Sequence, residues 1–287
     1  MELIGIINGV ISSKQIATKI KADIKSSIAS LKNSNISPCL GIVKIGEDPA
    51  SEQYFNAKLR RASEFGVETK ILMLESDVSQ ERVNSEVRKI ALDPDVHGII
   101  VESPVPKQLN YHEFINLIPP EKDVDGVTYA NLGRLMSGEA SLRPATAASV
   151  MEFISEIGVP EGSVVAIINR TLTVGKPLSI MLLSNNFTPM VCHSKTLRLK
   201  DLCRSSDVIV TAAGKPGLIT ADFVRPESVV IDVGINVVGD KIVGDADFEN
   251  IKDKVSAITP VPGGVGSLTS LMIFRNLVSA INMQGIV

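Results

Sequence analysis

Tyr54 and Lys58 stand four residues apart, a spacing that on a helix puts a phenol and an ammonium on one face, within reach of the same ligand. Asp48-Pro49-Ala50-Ser51 just ahead reads as a helix start, with Asp48 as N-cap and Pro49 at the first helical position. Such a pair can hold a substrate and move a proton, although Tyr-x-x-x-Lys also arises by chance as an ordinary exposed pair. Lys122-Asp123-Val124-Asp125-Gly126 sets two carboxylates two residues apart, which on extended backbone face the same way; a turn with solvated charges is the other reading. Pro260-Val261-Pro262-Gly263-Gly264-Val265-Gly266 leaves backbone free to approach a flat ligand.

A second kind of chemistry is written in residues 164–177. A buried apolar strand, 164–168, runs into Asn169-Arg170-Thr171-Leu172-Thr173-Val174-Gly175 and then a helix. The Gly-x-Gly-x-x-Gly fingerprint is missing and Gly175 alone serves as a close-approach glycine. Arg170 and Thr171 nevertheless offer a guanidinium and a hydroxyl to a phosphate beside a helix N-terminus. The next strand ends at His193-Ser194-Lys195, where an NAD enzyme usually carries an acid for the ribose hydroxyls; a basic, hydroxyl-bearing end favours the 2'-phosphate of NADP. His193 itself reads as a packed strand-end residue. Short-chain dehydrogenases also use Tyr-x-x-x-Lys, but their cofactor strand precedes it, whereas here it follows by about a hundred residues. The pair therefore belongs to a separate substrate domain.

These groups need a frame. Short β-branched runs at 40–45, 70–74, 98–101, 164–168, 190–192, 208–211, 229–233 and 257–259 read as buried strands. Between them, 51–65, 80–92, 147–157 and 176–184 carry apolar residues at helical spacing, so strand and helix alternate and parallel sheets are expected. The rhythm breaks between Pro104 and Pro144, and the domain boundary is placed after it: residues 1–145 and 146–267, with the last helix, 268–287, packing back on the first domain.

Composition excludes several classes. With 287 residues, 44% hydrophobic and 21% charged, the chain exceeds the roughly 100 to 200 residues of one domain and has ample core. Lys and Arg number 29 against 32 acids, a net charge of -3, so no basic field draws in nucleic acid or an anionic membrane. Cys39, Cys192 and Cys203 are odd in number and lack metal spacing, which points to a reducing compartment, structural thiols and no metal. The apolar run at 3–10 has Glu2 ahead of it and no cleavage pattern after it, and no stretch nears the roughly 20 residues of a membrane span; a cytoplasmic protein is expected.

Gly46-Glu47-Asp48-Pro49-Ala50-Ser51 with Tyr54 and Lys58, Lys122 to Gly126 with Asn131 and Gly133, Cys192-His193-Ser194-Lys195-Thr196, Asp232-Val233-Gly234-Ile235-Asn236 and Pro260 to Gly266 occur in this order. Together they make the chain resemble, over nearly its whole length, the bifunctional methylenetetrahydrofolate dehydrogenase/methenyltetrahydrofolate cyclohydrolase family. The resemblance implies an N-terminal α/β catalytic domain and a Rossmann-type, doubly wound parallel-sheet NADP domain, a folate cleft between them, and a homodimer feeding one-carbon units toward purine biosynthesis. It implies that Lys58 acts in the cyclohydrolase step, that Tyr54 lines the pterin site, and that Asp125 accepts hydrogen bonds from the pterin ring. Val101, Glu102, Ser103, Pro262, Gly263 and Gly264 would border the folate, while Asn169, Arg170, Thr171, Gly175, Ser194, Lys195 and Ile235 would hold NADP. The implied chemistry is hydride transfer from 5,10-methylenetetrahydrofolate to NADP, then hydrolysis of the methenyl product to 10-formyltetrahydrofolate. The first step needs orientation and the second a positioned base.

The chain departs from that pattern in places. Val101-Glu102-Ser103-Pro104-Val105-Pro106 replaces Val-Gln-Leu-Pro-Leu-Pro, so a carboxylate stands where the family has the Gln beside its catalytic Lys. A carboxylate there favours an ammonium on Lys58, whereas a Lys base needs a neutral fraction. Two consequences stay open: a weakened cyclohydrolase, or Glu102 as the base with Lys58 its charged partner. Asn169 stands for Gly, Pro144-Ala145-Thr146-Ala147 for Pro-Cys-Thr-Pro, and Ser267 for Pro. Asn tolerates left-handed backbone angles, so the turn at 169 can survive, with its bulk bearing on the pyrophosphate. A dehydrogenase-only member of the family, another two-domain NADP dehydrogenase of shikimate or amino-acid type, and a non-catalytic nucleotide-binding protein are the competing readings.

Overall fold

The computed structural model describes residues 6–7, 9–47 and 49–286, with side chains described except at 6, 7, 49–51, 53 and 54. The N-cap expected at Asp48 and the side chain of Tyr54 therefore lie outside the described residues.

In chain order the elements are β1 (Ile6–Ile7), β2 (Val10–Ile11), α1 (Lys14–Asn33), β3 (Cys39–Ile45), α2 (Pro49–Phe65), β4 (Glu68–Leu74), α3 (Gln80–Leu92), β5 (Gly98–Val101), α4 (Tyr111–Ile115) and α5 (Tyr129–Ser137). They continue as α6 (Ala145–Ile157), β6 (Val164–Ile168), α7 (Gly175–Ser184), β7 (Thr188–Cys192), α8 (Leu199–Arg204), β8 (Val208–Thr211), β9 (Val229–Asp232), β10 (Asn236–Val238), β11 (Lys241–Val243), α9 (Phe248–Ile251), β12 (Ala257–Ile258) and α10 (Val265–Met283). The chain forms two compact units. One comprises Ile20–Ala145 and Ser270–Val287; the other takes in the chain up to Lys19 together with Thr146–Thr269.

The first unit holds a parallel sheet in the order β4-β3-β5, lengthened by a parallel bridge from Ile99 to Asp123. Val43, Ile45, Ile99 and Val101 form one core with Val83, Val87 and Ile90 of α3 and with Phe114 and Ile115 of α4. Helix α3 supplies that face because its apolar residues recur at helical spacing, and it starts at Ser79, whose side chain accepts from the Arg82 backbone N–H. Strand β4 was expected to be buried; it is an edge strand with Ile71 and Met73 exposed. An edge strand covered on one side has the same apolar composition as a central one.

The last turns of α10 belong to this unit. Asn276 Nδ2 donates to the carbonyls of Val124 and Arg143, both at 2.8 Å, and Gln284 Nε2 donates to those of His97 and Glu121. Backbone oxygens at His97, Glu121, Val124 and Arg143 thus find partners near the far end of the chain.

The second unit carries a seven-stranded sheet in the order β1-β2-β12-β9-β8-β6-β7. All pairings from β2 to β7 are parallel, and β1-β2 is an antiparallel hairpin. Counted from β6, the five strands of the Thr146–Thr269 stretch run 2-1-3-4-5, a doubly wound order that reverses at β6. The sequence reading opened the first domain at residue 1, whereas Val10 pairs with Ile258 in this sheet. A two-residue strand has no periodicity to show which sheet it joins. Strand β7, also expected to be buried, is the other edge. Cys39, Cys192 and Cys203 are free and buried, and burial pushes the Cys203 thiol up to about 12.

Candidate active site

Glu102 is the first residue past β5, and its backbone N–H donates to the Val43 carbonyl at 2.8 Å, continuing the ladder. That places its side chain at the sheet's carboxyl end. Lys58, on α2, donates from Nζ to Glu102 Oε2 at 2.9 Å, with side chains 13% and 6% exposed. The other oxygen, Oε1, is buried without a hydrogen-bond partner among the described residues. A half-satisfied carboxylate is costly unless something else completes it, which marks the place where a ligand or water belongs. Val101 ends β5 and is buried; Ser103, next along, is exposed and precedes a cis peptide bond to Pro104.

The two carboxylates expected to face the same way do different things. Asp123 is fully buried and accepts from the backbone N–H groups of Gly126 and Thr128 and from Asn131 Nδ2, at 2.9, 2.8 and 3.0 Å. It closes the turn and the start of α5, and its full burial keeps it from a ligand. Asp125 is half-buried, and burial raises its carboxyl to about 7, with the charges of Asp123 and Glu102 adding to the rise and Lys58 opposing it. Lys58, Glu102 and Asp125 thus form one electrostatic cluster. Tyr111 is raised as well, by burial first and then by the charges of Asp125 and Asp123.

Lys44 escaped the sequence reading. It is buried in β3, pairs with Glu52 of α2 and sits 4.9 Å over the Phe55 ring. That hydrogen bond holds the Glu52 carboxyl below its usual range, and Glu52 also accepts from Asn56 Nδ2. The pair ties the helix carrying Tyr54 and Lys58 to the central strand. A Lys inside the apolar run at 40–45, with an acid eight residues on, was the available signal.

In the second unit the reversal of strand order lies between β6 and β8, and the loops after those strands border the crevice where open α/β sheets bind ligands. Asn169 does not adopt a left-handed angle, contrary to the reason for which its survival was expected. Its side chain builds the turn: Oδ1 accepts from Thr171 N, Thr171 Oγ1 and Gly175 N at 2.8, 2.8 and 2.9 Å, and Nδ2 donates to the Ala212 carbonyl at 2.7 Å. Gly175 is required because a Cβ would lie 2.0 Å from the Asn169 carbonyl oxygen.

Arg170 follows β6 by two residues and Lys195 follows β7 by three, and Ile168 and Cys192, the last residues of these strands, are register partners. Both cations are exposed and have no side-chain partner among the described residues. Ser194 is exposed beside them. His193 anchors its turn, Nδ1 accepting from the Lys195 backbone N–H at 3.1 Å. Two unpaired cations with hydroxyls at adjacent strand ends suit a phosphorylated dinucleotide.

A carboxylate web missed in the sequence organises the same face. Asp245, fully buried, accepts from Thr211 Oγ1, from the backbone N–H groups of Ala213, Gly214 and Lys215, and from Asn236 Nδ2. Asp232 accepts from the N–H groups of Gly234, Asp245 and Ala246, and burial raises it to about 6 against those hydrogen bonds. A Cβ on Gly244 would come within 2.0 Å of Asp232 Oδ2, which explains Gly-Asp at 244–245; that dipeptide was the sequence signal. Ile235, beside Asn236, is exposed. Pro262 and Gly263 are exposed while Gly264 is buried, and the Gly263 carbonyl accepts from both Ser13 N and Ser13 Oγ.

A doubly wound sheet with a basic, hydroxyl-lined switch point and a separate unit bearing a Lys-carboxylate cluster define a nucleotide-dependent enzyme of two α/β parts. Residues 11–125 match the family model described as tetrahydrofolate dehydrogenase/cyclohydrolase, catalytic domain, and residues 144–285 match that of its NAD(P)-binding domain. The chain belongs to the tetrahydrofolate dehydrogenase/cyclohydrolase family. Bifunctional protein FolD of Picrophilus torridus is 43% identical over 97% of this chain and 99% of its own. The crystal structure of the bifunctional 5,10-methylenetetrahydrofolate dehydrogenase/cyclohydrolase from Thermoplasma acidophilum is 38% identical, with a TM-score of 0.90 over 97% of this chain and 100% of that one. The Trypanosoma brucei enzyme FolD, complexed with NADP cofactor and inhibitor, is 30% identical, with a TM-score of 0.92 over 97% of this chain and 98% of that one. Among the described residues no helix is long and apolar enough to cross a membrane, and no group of three His, Cys, Asp or Glu is placed to hold a metal.

Proposed function

We propose that this chain oxidises 5,10-methylenetetrahydrofolate to the 5,10-methenyl compound with NADP and hydrolyses that product to 10-formyltetrahydrofolate. The observation that carries the reading is the Lys58–Glu102–Asp125 cluster in a chain that matches both family domains. NADP, when bound, accepts the hydride. The protein's task in that step is to orient, which asks little of acid or base. Asn169, Arg170, Thr171, Gly175, Ser194, Lys195 and Ile235 would hold the cofactor, with the two unpaired cations taking its phosphates.

Asp125 would accept from adjacent N–H donors of the pterin, as a carboxylate can accept two at once. Tyr54, Val101, Ser103, Pro262, Gly263 and Gly264 would line the folate, and Lys58 with Glu102 would serve the hydrolytic step. Folate is assigned to the unit of Ile20–Ala145 and Ser270–Val287, and NADP to the unit containing Thr146–Thr269, in place of the sequence bounds 1–145 with 268–287 and 146–267. A homodimer, a cytoplasmic location and a supply of one-carbon units to purine biosynthesis complete the reading. A shikimate-type enzyme has no need of the Pro-Gly-Gly loop, and a non-catalytic relative has no need of Lys58 and Asp125.

The test mixes purified protein with methylenetetrahydrofolate and NADP or NAD and follows reduced nicotinamide and methenyl absorbance separately. Reduced nicotinamide followed by loss of the methenyl band is expected; no reduction of either cofactor would sink the reading. Sedimentation checks the dimer.

A further inference from the structure

We propose that Glu102, through Oε1, is the base that takes the proton from water in the hydrolysis of the methenyl compound, with Lys58 as its fixed cationic partner. The proposal rests on the function inferred above and deepens its second step. Its ground is the arrangement at the end of β5. Glu102 is 5% exposed, its Oε2 accepts from Lys58 Nζ at 2.9 Å, and its Oε1 is buried with no partner among the described residues. An ammonium has three protons and no lone pair, so in this pair only the carboxylate can receive a proton. The free oxygen is the one that a bound water would meet, and a pair of opposite charges adds no net charge beside a cationic substrate.

The proton inventory closes. Water oxygen bonds to the methenyl carbon, the π electrons of the amidinium collapse onto nitrogen, and one water proton passes to Glu102 Oε1. The N5–C bond of the resulting carbinol then breaks. Its electron pair stays on N5, which takes the proton back from Glu102, and the hydroxyl proton leaves to solvent as the C=O of the formyl group forms. One proton is released per turnover and Glu102 ends as it began. The other groups whose charge bears on the cluster are Lys58 from α2 and Asp125 and Asp123 from the segment after β5. Asp123 is fully buried and held by Gly126, Thr128 and Asn131, and Asp125 is given to the pterin in the reading above.

Two substitutions separate this assignment from a Lys base. Glu102→Gln keeps size and polarity but cannot take a proton; Lys58→Arg keeps the cation but cannot lose one at working pH. The readout is the ratio of methenyl hydrolysis to methylene oxidation in one preparation, so that losses of folded protein cancel. Glu102→Gln should lower that ratio about a hundredfold, the span of one general base, and Lys58→Arg by no more than about tenfold. The reverse order, or equal losses in both, overturns the proposal and leaves the function standing. Wild type that oxidises without hydrolysing overturns it too, and wild type with neither activity overturns the function itself.

Discussion

Asp123 and Asp125 stand two residues apart on one loop, and the first is locked by three hydrogen bonds while the second is half-buried with a carboxyl raised to about 7. The saturated carboxylate is structural and supports the spare one. Gly126 N, bonded to Asp123, fixes the turn on which Asp125 projects.

This sets a pH signature. Folded Asp125 holds its proton up to about 7, whereas in the unfolded chain it would release it in the ordinary carboxylate range. Between those values the folded state binds the extra proton, so stability falls as pH rises through the window. Asp125→Asn removes the fall, and its melting temperature should exceed the wild type's by a margin that grows from about pH 4.5 to about pH 8. A constant margin would dissociate the shift from Asp125. The same variant should raise the folate KM about ten- to a hundredfold at neutral pH, the worth of charge-assisted hydrogen bonds. Wild-type folate binding should weaken below about pH 7, and that of the variant should not.

Asp245 holds the loop that follows β8, at the end of the sheet where the proposed cofactor would bind. Asp245→Asn leaves at least one N–H of the exposed Ala213, Gly214 and Lys215 loop without its carboxylate acceptor and loosens that loop. The expected result is an NADP KM raised about tenfold or more, with folate KM nearly constant, in initial-rate measurements. An unchanged NADP KM would show that the loop keeps its shape without the charge.

Asn169 offers a test against the family pattern. Restoring glycine removes four hydrogen bonds, one of them to the Ala212 carbonyl, and adds backbone freedom. Asn169→Gly should cost about 2 kcal/mol in denaturant unfolding of this unit and weaken NADP several-fold. Tighter binding would mean that the Asn side chain obstructs the phosphates.

Asn276 reaches the 122–126 loop from the far end of the chain. Its amide donates to the Val124 and Arg143 carbonyls, and Asn276→Leu takes that donor from both, the one at Val124 being buried. A loss of about 2–4 kcal/mol is expected by chemical denaturation, along with a higher folate KM as the 124–126 segment slackens. Loss of stability with folate KM unchanged would confine Asn276 to the core.

Much of this was legible in the chain. Strands 164–168, 208–211 and 98–101 were read to the residue because apolar runs between breakers are a local signal, and α3 at 80–92 showed its helical spacing. The short pieces, β1, β2, α4 and the β10-β11 hairpin, carry too few residues for a period and went unread. Strands β4 and β7 were read as strands but not as edges, since a neighbour's absence is a property of the sheet.

The sequence by itself determined the alternating α/β architecture, the Lys58 and Asp125 positions, the basic, hydroxyl-bearing turn at 169–175 and the departure at Glu102, because each is written in neighbouring residues. Only the tertiary structure decided that Asp123 is held by three hydrogen bonds while the Asp125 side chain has none among the described residues, that Asn169 works through its side chain, and that Asp245 binds strand ends up to 34 residues away. Carboxylates are identical as letters. What distinguishes them is which N–H groups and charges the fold brings within about 3 Å, and that is settled across the chain.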